Sequence, residues 1–205
     1  MRKMIICNIP MKANVDLAVY ESDDKSLPMP DRSISYPING FLEMTLSSED
    51  EVKLIFLAKI DAYSHATQNV QNFLREFQVM NERIGARVEH VVIESAFEET
   101  QDVHEALLDR LVDAIEDGTH IQADITYGPK DMVPVLFTAL NFAEKFLDCS
   151  VDNIVYGKAN FENGRVVNTK ICDMVPLYSL GAVTNIIKSN GSVKAREMLK
   201  NLLSI

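Results

Sequence analysis

The stretch Ile121-Gln122-Ala123-Asp124-Ile125-Thr126-Tyr127-Gly128-Pro129-Lys130-Asp131 decides the fold. Ile121–Thr126 is a short run bounded by turn residues and reads as a buried strand. Gly128 and Pro129 then break it. Beyond them Met132, Val133, Val135, Leu136, Phe137, Leu140, Phe142, Phe146 and Leu147 predict a helix from about Met132 to Leu147, with Asp131 placed to cap it. Little polar face is left on that helix, which fits either a central helix of one protomer or the interface of a homodimer.

The same alternation extends in both directions. Met4–Ile9, Val52–Ala58, Val88–Ile93 and Val151–Tyr156 are further short runs rich in Val, Ile and Leu, as strands buried on both faces require. Between them Val70, Phe73, Leu74, Phe77, Met80 and Ile84 repeat at helical spacing. So do Val103, Leu107, Leu108, Leu111 and Ile115, a set opened by Thr100 as N-cap and closed by Gly118. Strands alternating with helices predict an α/β fold, a Rossmann-like, mostly parallel sheet flanked by helices. Asn163-Gly164, between Tyr156–Phe161 and Arg165–Ile171, predicts a C-terminal antiparallel β-hairpin with a tight turn. Residues 21–40, rich in Ser, Asp and Pro, read as a long loop or irregular hairpin between the first two strands. Residues 1–205 are expected to form a single domain, with 188–205 a C-terminal segment in which Val193 to Leu203 is amphipathic.

With 205 residues, 47% of them hydrophobic, the chain can bury a large core and is too apolar to be disordered. Its formal net charge of −10 argues against coating a long nucleic acid, which needs many Lys and Arg to neutralise phosphates. A small anionic ligand in one locally positive pocket is compatible with that charge. The apolar run Met4-Ile5-Ile6-Cys7 is too short for a signal peptide, and no stretch approaches the roughly 18 to 20 apolar residues of a membrane helix. A cytoplasmic protein with no membrane partner is expected. Cys7, Cys149 and Cys172 lie far apart among apolar or small residues, which suits reduced thiols better than disulfides or zinc ligands. His65, His90, His104 and His120 lack metal-ligand spacing and suit surface or capping roles, so no metal and no cofactor is expected.

Ligands of open α/β sheets collect beyond the carboxyl ends of the strands, near the point where strand order reverses. Those ends supply the candidate ligand-binding residues. Asn8, Ile9, Pro10, Met11 and Lys12 follow the first strand, Tyr63 and Ser64 the second, and Ser95 the third. Thr126, Tyr127, Gly128, Pro129 and Lys130 follow the fourth, and Tyr156 and Gly157 lie on the fifth. The fourth set has the best chemistry for a phosphate. Gly128 admits close backbone approach, the next helix N-terminus offers free N–H groups, Lys130 adds a cation and Thr126 a hydroxyl. An ordinary strand-to-helix turn with a solvated lysine has the same composition. Neither a dinucleotide glycine motif nor a nucleoside-triphosphate loop is present, which disfavours dehydrogenases and NTPases. Glu94, Glu98, Glu99 and Asp102 lead into a helix N-terminus and read as solvated, and no nucleophile elbow supports a Ser-His-Asp site.

The run Asp124–Lys130, Pro134 in the next helix, Ile154-Val155-Tyr156-Gly157, and Asp173 with Pro176 together resemble the CARF family, the CRISPR-associated Rossmann-fold sensors of type III antiviral defence. The resemblance covers most of the chain from about residue 50 onward and, more loosely, the first strand. It implies a homodimer that binds a cyclic oligoadenylate across its two-fold axis. Thr126, Gly128 and Lys130 match the ligand-contacting loop, and Asn8 to Lys12 the loop after the first strand. Members commonly carry His, an aromatic and Arg where this chain has Tyr127, Pro129 and Lys130, and a Trp after the Asp173 region, whereas this chain has no Trp. Lysine keeps the charge without arginine's planar fork, so the ring stays open between cyclic tetra- and hexa-adenylate. The resemblance also implies an effector, expected outside this sequence. It allows a second activity, a metal-independent ring nuclease, in which Lys130 stabilises the reacting phosphate while Asn8 or Thr126 positions the sugar for attack by its 2′-hydroxyl. A nucleotide-binding or regulatory protein unrelated to CRISPR is the remaining reading.

Overall fold

The computed structural model describes residues 1–163, 165–186 and 191–203. Strands β1 (Arg2–Asn8), β2 (Glu51–Ile60), β3 (Arg87–Ala96), β4 (His120–Asp124), β5 (Ser150–Glu162) and β6 (Arg165–Asp173) form one sheet in the order β3-β2-β1-β4-β5-β6. Neighbours run parallel except β5 and β6, which are antiparallel, with Glu162 opposite Arg165. The Rossmann-like α/β sheet with a C-terminal hairpin is therefore present. Asn163 enters the hairpin turn at φ 50°, a left-handed conformation that Asn tolerates, while Gly164 lies outside the described residues.

Helices α1 (Pro37–Thr45) and α2 (Ala66–Ile84) cover one face of the sheet. The other face carries α3 (Gln101–Ala114), α4 (Met132–Phe146) and α5 (Val175–Ile186), and α6 (Ser192–Leu203) follows. Strand alternation divides the core in two. Ile5, Leu54 and Phe56 meet Phe41, Phe73 and Phe77 on the first face, and Met4, Ile6, Ile55 and Leu57 meet Leu107, Leu111, Leu136 and Leu140 on the second. Because both faces are covered, the central strands need no polar alternate positions, and their apolar runs are continuous. On α4 the inner residues Val135, Leu136, Ala139, Leu140 and Ala143 are buried, while Phe142 and Phe146 face outward with ring centroids 4.9 Å apart.

Segment 21–40 departs from the expected loop at its end, because residues 37–40 begin α1. Pro37 is preorganised for a first helical turn, the Ile38 N–H goes to the Asp124 carboxyl and the Asn39 N–H to Tyr36 O, and α2 fixes the entry to the helix instead of a local side-chain cap. Glu76 accepts from the Ser35 N–H (2.7 Å), the Tyr36 N–H (3.2 Å) and Asn39 Nδ2 (3.0 Å). The remainder of the segment is tied by bridges at Ala18–Ile34 and Glu21–Lys170.

Three capping expectations change. Thr100 and Asp131 stand at the N-caps of α3 and α4, yet neither side chain makes a capping hydrogen bond. Helix α3 ends at Ala114, and Gly118 (φ 67°) serves the turn into β4, donating its N–H to Leu147 O. Asp173 does cap, accepting from the Val175 N–H at the start of α5 (3.0 Å) and from the Ile154 N–H (3.1 Å). Cys7 and Cys149 are buried and Cys172 half-buried, all as free thiols. Among the described residues no helix is long and apolar enough to cross a membrane.

Candidate functional site

Through α1 and α2 the chain moves outward from β1 to β3, and α3 returns it to the other side of β1. Strand order thus reverses between β1 and β4, which pair from Lys3–His120 to Cys7–Asp124. Such a reversal opens a crevice, because the connections on either side lead away from it. Asn8 leaves β1 there and Asp124 ends β4.

Each loop at the crevice is held by named hydrogen bonds. After β1, Asn69 of α2 donates its Nδ2 to Pro10 O (2.7 Å) and Lys12 O (2.9 Å), and the His65 N–H reaches Met11 O (2.9 Å). After β4, Asp124 Oδ1 accepts from the Thr126 N–H (2.7 Å), Thr126 Oγ1 accepts from the Gly157 N–H (2.8 Å), and the Tyr127 hydroxyl donates to Ser35 O (2.7 Å). Gly128 then turns at φ 84°, a conformation that suits glycine, and a side chain there would meet Asn8 Cβ at 3.0 Å. Asn8 itself is buried beneath this turn, and neither polar atom of its amide has a hydrogen-bond partner among the described residues.

Burial pushes the Asp124 carboxyl up to about 6, against the pull of the Thr126 and Ile38 N–H groups it accepts from. Burial also raises the Tyr127 hydroxyl far above its ordinary value, helped by Tyr20 and the Asp124 charge, so Tyr127 is a neutral donor.

Over these loops lies a cleft of about 250 Å³ lined by Lys12, Tyr20, Thr126, Tyr127, Tyr156 and Phe161, with Asp16, Gly157, Ala159 and Val166 completing it. Larger hollows of about 440 and 660 Å³ lie at the amino ends of the strands and inside the 19–31 loop. Ion pairs Lys53–Glu116 and Arg87–Glu51 already occupy the first, and the second is lined by its own loop, so the switch-point cleft holds the chemistry despite its size.

The candidate residues therefore separate. Lys12, Thr126, Tyr127, Tyr156 and Gly157 converge on the cleft, Asn8 and exposed Gly128 pack on each other at the β1–β4 crevice without lining it, and Pro129 and exposed Lys130 lead into α4. Ile9 and Pro10 are buried and Met11 half-buried, so these contribute backbone course more than contact. Tyr63 is 88% exposed and Ser64 is spent on structure, donating to Lys59 O and accepting from the Ala66 N–H. Ser95 is buried on the edge strand β3. These three belong to the ends of β2 and β3, on the far side of β1 from β4, and do not line the cleft.

Sequence reasoning missed a buried support under the start of α4. Lys59 on β2 is 0% exposed and places Nζ 3.0 Å from Asp131 Oδ2, the same oxygen that His104 Nε2 approaches at 2.9 Å. Burial alone would raise the Asp131 carboxyl, but Lys59 and His104 outweigh it and hold it below its ordinary value. Asp131 is thus diverted from capping α4 to anchoring it against β2 and α3. The available signal was a lysine within the apolar run Val52–Ile60.

No family model matches the chain, and no curated protein matches it.

Proposed function

We propose that this chain is a receptor for a cyclic oligoadenylate, bound at the β1–β4 crevice by a homodimer and relayed to an effector outside this sequence. The observation that carries this reading is the Asn8 amide, buried beneath Gly128 with both polar atoms unpartnered among the described residues, at the entrance to α4. Leaving a buried polar group unsatisfied costs about 1 to 3 kcal/mol, which an ordered water or a ligand atom can offset. A ribose hydroxyl or phosphate oxygen would satisfy it, while the α4 N-terminus and Lys130 favour negative charge. The CARF-like motif Asp124–Lys130 supplies the class of ligand. Phe142 and Phe146, 38% and 69% exposed, offer the second protomer an apolar surface, and a ring with two-fold symmetry matches a two-fold dimer.

Calorimetric titration with cyclic tetra- and hexa-adenylate tests the reading. One ring per two chains is expected, with binding weakened roughly 10- to 100-fold in Lys130→Ala, the range for a lost charge-assisted hydrogen bond. No heat with either ring refutes the receptor. Incubating the ring with the protein separates receptor from ring nuclease: an intact ring supports the first, and linear products that vanish in Lys130→Ala support the second.

A further inference from the structure

The β5–β6 hairpin extends past the rest of the sheet. β4 pairs with β5 only as far as Asp124–Val155, whereas β5 continues to Glu162. Along this overhang the register shifts between Lys158, opposite Lys170, and Asn160, opposite Val167, and Asn168 adopts φ 50°. One extra residue on β6 in a left-handed conformation is a β-bulge, which bends the arm. The arm reaches the cleft, where Ala159, Phe161 and Val166 line the wall beside Lys12 and Tyr156.

Phe161 is 62% exposed, and Lys12 Nζ lies 6.0 Å from its ring centroid. A phenylalanine so exposed contributes little to a core, yet its ring faces a cleft. Lys12 is held by Asp16 at 3.1 Å, a pair 48% and 44% exposed, and exposed pairs of this kind contribute little. A phosphate can therefore replace Asp16 without much loss.

We infer that the hairpin arm is a base-stacking wall, in which the Phe161 ring lies on one adenine of the ligand and Lys12 meets the adjoining phosphate; this rests on the cleft being an oligoadenylate site. Aromatic rings accept any base on their π-face, and a flanking cation tracks the backbone.

The chain has no tryptophan, so Phe161→Trp introduces a single fluorescent reporter at the arm. Addition of cyclic tetra- or hexa-adenylate is expected to quench that tryptophan. Phe161→Ala and Phe161→Leu are both expected to bind the same ring roughly 5- to 100-fold more weakly, with thermal midpoints near the parent's because the side chain is exposed. Parent protein that binds a ring while Phe161→Ala binds it equally well, with no quenching in Phe161→Trp, overturns the stacking wall and leaves the receptor intact. Full affinity in Phe161→Leu overturns it too, since an aliphatic contact would then suffice. Failure of the parent to bind either ring removes the receptor and the wall together.

Discussion

Replacing Gly157 by alanine tests how the cleft is built. An added Cβ would lie 2.5 Å from Pro37 Cγ and 3.1 Å from both Thr126 Cγ2 and Tyr20 Cε1. Carbon atoms pack at about 3.5 to 4.0 Å, so roughly 1 Å of separation must open between β5 and the start of α1. Pro37 cannot swing aside, because its ring is part of the backbone and α1 is fixed by Glu76 and Asp124. Overpacking of this kind costs about 1 to 3 kcal/mol, and losing the glycine's unfolded-state entropy returns about 0.5 to 1 kcal/mol. A net loss of roughly 1 kcal/mol is expected, equivalent to a fall in Tm of about 2 to 5 °C for a chain of this size. Urea unfolding followed by far-ultraviolet circular dichroism measures it. Two companions locate the cause. Gly181→Ala in α5, where a Cβ meets nothing within 4 Å, is expected to stabilise by about 0.5 to 1 kcal/mol. Pro37→Ala removes the clashing Cγ, so Gly157→Ala combined with Pro37→Ala should lose at least 1 kcal/mol less than the sum of the single variants, on the scale of coupling between contacting residues. A Gly157→Ala variant within about 0.5 kcal/mol of the parent, or strict additivity with Pro37→Ala, would refute the close approach; that is the scatter of ordinary substitutions.

Asp124→Asn should flatten one part of the stability–pH curve. The folded carboxyl sits at about 6 against an ordinary 3.8, so the folded chain holds the proton more tightly and this group's contribution is lost as pH rises from 3.8 through 6. About two units correspond to roughly 3 kcal/mol. Asp50, Glu43 and Asp131 are held below their ordinary values and act oppositely, losing stability as pH falls below their unfolded values, so the two windows separate. Equal slopes for parent and variant between pH 4.5 and 7 would remove the argument. Lys59→Met should destabilise by about 3 to 5 kcal/mol, because it leaves a largely buried carboxylate with His104 alone. Adding Asp131→Leu should recover much of that loss in the same unfolding assay, and no recovery would mean that the pair does not act as a unit.

The strands were legible because covered faces make their apolar runs continuous, and the hairpin because Asn163-Gly164 suits its turn. What the sequence conceals is whatever depends on strand order or on partners distant along the chain. Tyr63, Ser64 and Ser95 sit at strand ends as surely as Thr126 does, but only the order β3-β2-β1-β4 separates them from the crevice. Helix α1 escaped notice because its entry is held by carboxylates distant along the chain, Glu76 at Ser35 and Tyr36 and Asp124 at the Ile38 N–H, with no residue at Tyr36 that caps. Asn69 reads as a surface position within a helical stripe, yet it is 0% exposed and pins the backbone at Pro10 and Lys12. Phe161 reads as one more alternating strand residue. The bulge at Asn168, which no hydrophobic pattern marks, bends the arm that carries it.

The net charge of −10 is no obstacle to an anionic ligand at this crevice. At physiological ionic strength exposed charges are screened beyond about 8 Å, so a bound phosphate responds mainly to the groups beside it. Each acid near the crevice is already engaged. Asp16 pairs with Lys12, and Asp131 shares one oxygen between Lys59 and His104. Asp124 lies buried beneath the loop, where it accepts from the Thr126 and Ile38 N–H groups, and burial weakens its hold on the charge. Against these stand Lys130, which makes no ion pair with any described residue, and the α4 N-terminus, which has no side-chain cap because Asp131 is turned to Lys59, although the Met132 N–H is taken by Pro129 O and Pro134 has none. The diversion of Asp131 to Lys59 therefore does two things with one side chain: it fixes the start of α4, and it leaves that helix end without a side-chain cap, so that no carboxylate neutralises the dipole there.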